Sequence, residues 1–327
     1  MFFFLPVCVV LLVFFGNMPH NKGGEAITPT QTPEETMDIN QITFGVELEM
    51  SNISMLRALT ATQKALQTCG VFSHRDRTYR AGLRDNAGRL WKVVSDCTTT
   101  GGCEVVTPIC TLPDMPVVQE VLRELVRHGA TPDGGAGLHC HIGMQNWSNK
   151  QFNNLIKFSR KYERLMVAMA GTTAQRERHW CAPMTQDIVD SAINGGSMED
   201  ARDIQAGRYY GVNLQSLHTH GTVEFRFLEA VSHAGKLRAQ VMLILMVAHY
   251  CANAKRISAK ERDVRGNTKY AARALMKQIG MVGDTHATVR KHILANLEGD
   301  SVLNRIDHHG YESWTAGIAT RQVSRVA

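Results

Sequence analysis

Three short stretches alternate apolar and polar residues with period two: FGVELEM (44–50), GLHCHIG (137–143) and TVEFRFL (222–228). That period belongs to a half-buried strand whose two faces have separate environments. In the first, Phe44, Val46, Leu48 and Met50 oppose Glu47 and Glu49. In the second, Leu138, Cys140 and Ile142 oppose His139 and His141. In the third, Val223, Phe225 and Phe227 oppose Glu224 and Arg226. GGCEVVTP (101–108) adds a fourth such strand, with Gly102, Glu104 and Val106 on one side. Acids crowded on one sheet face repel one another unless a positive group joins them, and a divalent cation is the usual solution. The pattern points to a metal-nucleotide enzyme.

Each polar pair has a bland explanation when taken alone. Glu47 and Glu49 suit the wet side of a half-exposed sheet, and Glu224 with Arg226 suits a cross-strand charge pair. The histidines say more, because two imidazoles at i and i+2 of a strand share a side and together meet a cation or a phosphate. Glycines around them, in TPDGGAGLHCHIG, let a ligand approach the backbone. Cys140 alternates to the apolar side and is no ligand. Chance is a poor account of four strands with this design.

The segments between are helical or turn-like. SMLRALTATQKALQTCG (54–70) is a helix ended by Gly70, and 74–96 contains an Arg-rich hairpin turning at Asn86-Ala87-Gly88. Its arginines are candidates to reach an acidic substrate. Helices are expected at 117–129, 148–171 and 233–254, with further ones near 269–280 and 285–298. Residues 172–207 are mixed, and 208–217 with 222–230 form two strands joined by HTHG. The division expected is a lead-in over 1–40, a catalytic domain over 41–255 and a helical extension over 256–327.

Composition narrows the classes. The 327 residues carry a net charge of +6 without any block of consecutive Lys or Arg, which suits an anionic small ligand and speaks against a nucleic-acid partner. The eight cysteines show no CxxC pair, so buried thiols are expected rather than a zinc finger or disulfide framework. There is no GxxxxGK[ST], GxGxxG or GxSxG motif, which leaves nucleotide phosphates to metal and side chains. The apolar run at 2–15 is shorter than the ~20 residues that cross a bilayer as a helix. It is an export signal, a membrane-associating end, or translation upstream of a start at Met18 or Met37. Membrane contact is expected only there, and the enzyme is otherwise expected in the cytoplasm.

The order FGVELE, SDCT, GCEVVTP, GLHCHIG, RYYGVNL, TVEFRF resembles the amidoligase family of the glutamine synthetase and glutamate–cysteine ligase superfamily, over roughly 41–245. The resemblance implies an α+β fold with an antiparallel β-sheet forming a partial barrel and helices on its outer face. It implies an ATP-dependent carboxylate–amine ligase with Mg²⁺ or Mn²⁺, acting on a small-molecule or peptide carboxylate and an amine through an acyl phosphate. Carried over by position, Glu47, Glu49, Glu104, His139 and Glu224 are metal ligands, and Arg226 and Glu224 serve catalysis. His141 and Arg208 join Arg226 at the nucleotide, and Asp96 falls at a substrate contact. A guanidino kinase-like phosphotransferase on the same fold, a metal-dependent hydrolase and a non-catalytic binding module are the alternatives.

Overall fold

The alternating stretches pair side by side. In the computed structural model, which describes residues 36–299 except 72, 77–80, 97–98, 263 and 265, β1 (Phe44–Met50) is followed by α1 (Met55–Thr68). Then come β2 (Ser73–Arg75), β3 (Gly82–Asp85), β4 (Leu90–Val94), β5 (Cys103–Val106) and α2 (Met115–Arg127). β6 (Gly137–Gly143) leads into α3 (Asn149–Ala170). Three short helices follow, α4 (Ala174–Trp180), α5 (Gln186–Ile193) and α6 (Met198–Ile204). β7 (Val212–Asn213), α7 (Ser216–His220) and β8 (Thr222–Glu229) precede α8 (Ala234–Asn253), α9 (Thr268–Gln278) and α10 (Ala287–Leu294). The apolar run at 2–15, Met18, Cys97 and the last residues of the chain lie outside the described residues. Among the described residues no helix is long and apolar enough to cross a membrane.

All eight strands form one antiparallel sheet in the order β2-β3-β4-β5-β1-β6-β8-β7. It is open, with β2 and β7 at its edges. Glu47 pairs with His139, Glu49 with Glu104 and His141 with Glu224, so the charged residues of neighbouring strands stand side by side. Val46, Leu48, Val105, Leu138, Cys140, Ile142, Val223 and Phe225 are buried on the opposite face. There α1 packs against β2 to β5, while α8 meets β6 and α3 meets β8. Cys140 is in the core, as its parity requires.

Local chemistry sets the element ends. Ser54 accepts the Arg57 amide to start α1, and Ser148 with Gln151 forms a capping box on α3. Gly171, at φ 77°, ends α3 in the left-handed conformation. α8 is apolar nearly all round because α2, α3 and α10 surround it as well as the sheet. Each of Leu243, Ile244 and Leu245, fully buried there, contributes about 1.5–3 kcal/mol.

Two strand expectations change. The stretch 208–217 forms a strand only at Val212–Asn213, and the HTHG connection is the last turn of α7 rather than a hairpin loop. The antiparallel pairing with β8 survives over those two residues. Within β8 the alternation breaks: Leu138 and Cys140 of β6 pair with Leu228 and Phe225, so two steps on one strand span three on the other. A bulge of this kind shifts which side chains face which way. Glu229, opposite Gly137, thereby joins the side that carries the histidines.

The Arg-rich hairpin turns where expected. Asp85 accepts the amides of Ala87 and Arg89, and Gly88 has φ 76°. Two of its described arginines are engaged within the fold, while Arg75 on β2 is exposed. Arg84 pairs with Asp76, and Arg89 pairs with Asp85 and Asp114.

Candidate active site

The polar face converges on His139 and His141. His139 is 2% exposed, with Nδ1 2.9 Å from Glu47 Oε2 and 3.3 Å from Glu224 Oε1, and Nε2 3.3 Å from Glu49 Oε1. His141 places Nε2 3.1 Å from Glu47 Oε1. Its Nδ1 is 2.9 Å from Thr222 Oγ1 and 3.2 Å from Ser216 Oγ. Glu224 is held from both sides: Asn213 Nδ2 donates to Oε2 at 2.6 Å, and Arg226 Nη1 donates to Oε1.

Two ligand-like groups emerge. Glu47, His141 and Glu224 bring one donor atom each to within 4.8 Å of one another, and Glu49, Asp96 and Glu104 do the same. His139 stands between, touching an acid of each group. The structure therefore brings together eight of the nine residues singled out from sequence, in a different grouping. Asp96, expected at a substrate contact, stands with the acids of β1 and β5. His141, expected near the nucleotide, stands with Glu47 and Glu224. Arg208 lies on the exposed segment before β7 with its guanidinium 5.3 Å from the centroid of the Tyr209 ring.

The electrostatics show how far the site is from neutral without a cation. Burial lifts the Glu104 carboxyl, and the charges of Glu47, Glu49, Asp96 and Glu224 lift it further, to about 9. Glu47 goes the other way. Burial opposes its charge, but the neighbouring imidazoles of His139 and His141 outweigh that and hold it far below the usual carboxylate range. For His141 burial opposes the proton, yet its interaction with Glu47 leaves the imidazole raised above its ordinary value.

The donor set fits a divalent cation. Nε2 of both His139 and His141 is buried and has no hydrogen-bond partner among the described residues; the nearby carboxylates lie off the donor direction. An imidazole that gives Nδ1–H to a hydroxyl and keeps Nε2 bare is the arrangement of a metal-ligating histidine. His141, with Nδ1 2.9 Å from Thr222 Oγ1 and Nε2 without a partner, has the ring placement for that form. Carboxylate oxygens dominate the rest, which suits Mg²⁺ or Mn²⁺ rather than soft metals.

Sequence reading missed several supporting groups. Asn213, Ser216 and Thr222 orient Glu224 and His141, and the buried Arg176 of α4 lies behind Glu49. Asn213, in RYYGVN, carried a signal of its own, since it lies in the stretch expected as a strand beside β8, and in the fold it pairs with Glu224.

An open antiparallel sheet with helices on its apolar face thus carries on its polar face a buried carboxylate–imidazole cluster that could hold a metal ion. Residues 40–248 match the profile of a family described as "Putative amidoligase enzyme", and the chain belongs to that family. No curated protein matches it.

Proposed function

We propose that this chain is an ATP-dependent carboxylate–amine ligase built on a glutamine synthetase-like sheet. The observation that carries the reading is the pair of three-residue ligand groups joined by His139, with Arg226 alongside. Glu47, His141 and Glu224 would hold one Mg²⁺ or Mn²⁺, and Glu49, Asp96 and Glu104 another, with His139 available to either. Bound there, such ions would supply positive charge to neutralise phosphate oxygens.

The chain's own side chains do the rest. Arg226 gives Nη1 to Glu224 and keeps a buried Nε without a hydrogen-bond partner among the described residues, a donor free for the transferring phosphoryl group. A guanidinium suits that task because its planar fork matches phosphate oxygens. Arg208, at the surface, is the proposed outer contact to the nucleotide. The substrate carboxylate attacks the γ-phosphorus, ADP leaves, and an acyl phosphate forms. The amine nitrogen then attacks the acyl carbon, loses a proton and expels phosphate, leaving an amide. The buried floor of the site shields the acyl phosphate from water. An enzyme that consumes ATP belongs where ATP is made, so the cytoplasm is the proposed compartment.

Glu224→Ala and His139→Ala are expected to abolish ADP release from ATP in the presence of Mg²⁺ and a pool of carboxylates and amines, with circular dichroism unchanged. Undiminished turnover in either folded variant would sink the site. Turnover of an amide without ATP would instead identify a hydrolase.

A further inference from the structure

The Arg226 amide donates to the Gly211 carbonyl, but the Gly211 amide turns away to the Ala182 carbonyl, so the Arg226 carbonyl must find another donor. The Arg226 carbonyl has two: Arg176 Nη2 at 3.1 Å and the Cys181 thiol at 3.2 Å. Arg176, on α4, is 2% exposed. Its Nη1 donates to the Gly135 carbonyl at 2.8 Å and lies 3.9 Å from Glu49 Oε2. That same oxygen accepts the Gly137 amide. A Cβ on Gly137 would stand 2.1 Å from Arg176 Nη2, so the glycine that opens the histidine strand is what admits the guanidinium.

One side chain therefore ties three pieces together: β8 at its bulge, the 133–137 loop and the carboxylate of β1. Lysine offers a single point charge and cannot reproduce a fork directed at several acceptors. A buried cation is costly unless it is compensated, and the nearest carboxylate to this one belongs to a proposed metal ligand.

We propose that Arg176 is a positioning residue of the ligase. It holds Glu49 with Oε2 turned back against Gly137 and Oε1 towards His139 and the site. It also fixes the backbone from which Arg226 projects. Arg176 itself touches neither nucleotide nor substrate. The inference rests on the metal and nucleotide roles proposed above.

The test uses the full chain as wild type, Arg176→Lys, Arg176→Ala, Gly137→Ala and the Arg176→Ala/Gly137→Ala double variant. Mn²⁺ binding is followed by the electron paramagnetic resonance of the free ion, beside kcat, KM for ATP and thermal melting. Gly137→Ala leaves every charge in place and only intrudes on the guanidinium. In Arg176→Lys and Gly137→Ala, one Mn²⁺ equivalent should weaken by roughly ten- to a hundred-fold while the other is retained. Over the same pair kcat should fall at nearly constant KM for ATP. With Arg176 gone, Gly137→Ala should add no further loss, because its methyl then meets no guanidinium. Wild-type Mn²⁺ affinity and kcat in folded Arg176→Lys and Gly137→Ala overturn the role, as do additive losses in the double variant. Equal weakening of both equivalents in step with melting marks a purely structural residue and also overturns it. A wild-type chain that binds no Mn²⁺ overturns the metal reading itself, and this inference with it.

Discussion

Proton release on metal uptake should distinguish the carboxylate cluster from an ordinary polar surface. Without a cation, burial and the surrounding acids hold the Glu104 carboxyl at about 9, so at pH 7 it carries a proton almost completely. A metal ligand must be the carboxylate, and binding must therefore expel that proton. His141 adds a share. Burial disfavours its charge, but Glu47 and Glu224 leave it raised overall, and Nε2 must be bare to ligate. Mn²⁺ uptake at pH 7 should release about one proton from Glu104 and up to about one more from His141. The sign follows: affinity rises with pH, about ten-fold per unit for each proton released, and levels off once pH passes about 9 for the Glu104 step. Calorimetry in two buffers of different ionisation enthalpy gives the proton count directly. Glu104→Gln, which has no proton to lose, should lower that count by about one and flatten the pH slope to match. An unchanged count in the variant, or pH-independent binding in the wild type, would refute the reasoning.

Two further outcomes concern the fold. Burial raises the Glu163 carboxyl from 4.5 to about 7, opposed by the Met184 amide that it accepts. The native chain thus holds a proton that the unfolded chain releases between those values, and stability should fall as pH rises through that window. Glu163→Gln should remove up to about 3 kcal/mol of this dependence, and parallel urea curves for both proteins from pH 5 to pH 8 would contradict it. Gly102→Ala would set a Cβ 1.9 Å from the Met50 carbonyl oxygen, forcing β5 away from β1. It should cost about 3 kcal/mol in urea unfolding, and an unchanged midpoint would show that the strands are not so close.

The half of the site carried by regular strands was legible from sequence because period two assigns a face without any tertiary knowledge. Glu47, Glu49, His139, His141 and Glu224 all fall where parity puts them, and Cys140 falls in the core. Long helices were legible for a similar reason: α3 has a capping box at one end and a left-handed glycine at the other. What parity cannot supply is the depth of a residue that lies on no strand. Asp96 follows β4, and only the pairing of β4 with β5 and of β5 with β1 brings it beside Glu49 and Glu104. From the sequence it was merely an acid at a familiar distance from a motif.

The bulge in β8 is the sharper case. Alternation through TVEFRFLE predicts a single phase, and a strand in a single phase would put Leu228 on the polar side and Glu229 in the core. One extra residue opposite His139 reverses this, letting Leu228 pair with Leu138 and Glu229 with Gly137. Beside it the Arg226 carbonyl, which the Gly211 amide does not meet, takes a donor from Arg176, the donor requires space, and Gly137 provides it. Those three facts lie on β8, α4 and β6, at sequence separations that no local pattern spans. Arg176 therefore had no signature of its own in the sequence, although its absence would leave the Arg226 carbonyl with the Cys181 thiol alone. A site assembled from adjacent strands exposes its ligands to sequence reading and hides what holds them still, because the supports come from whichever element packs behind.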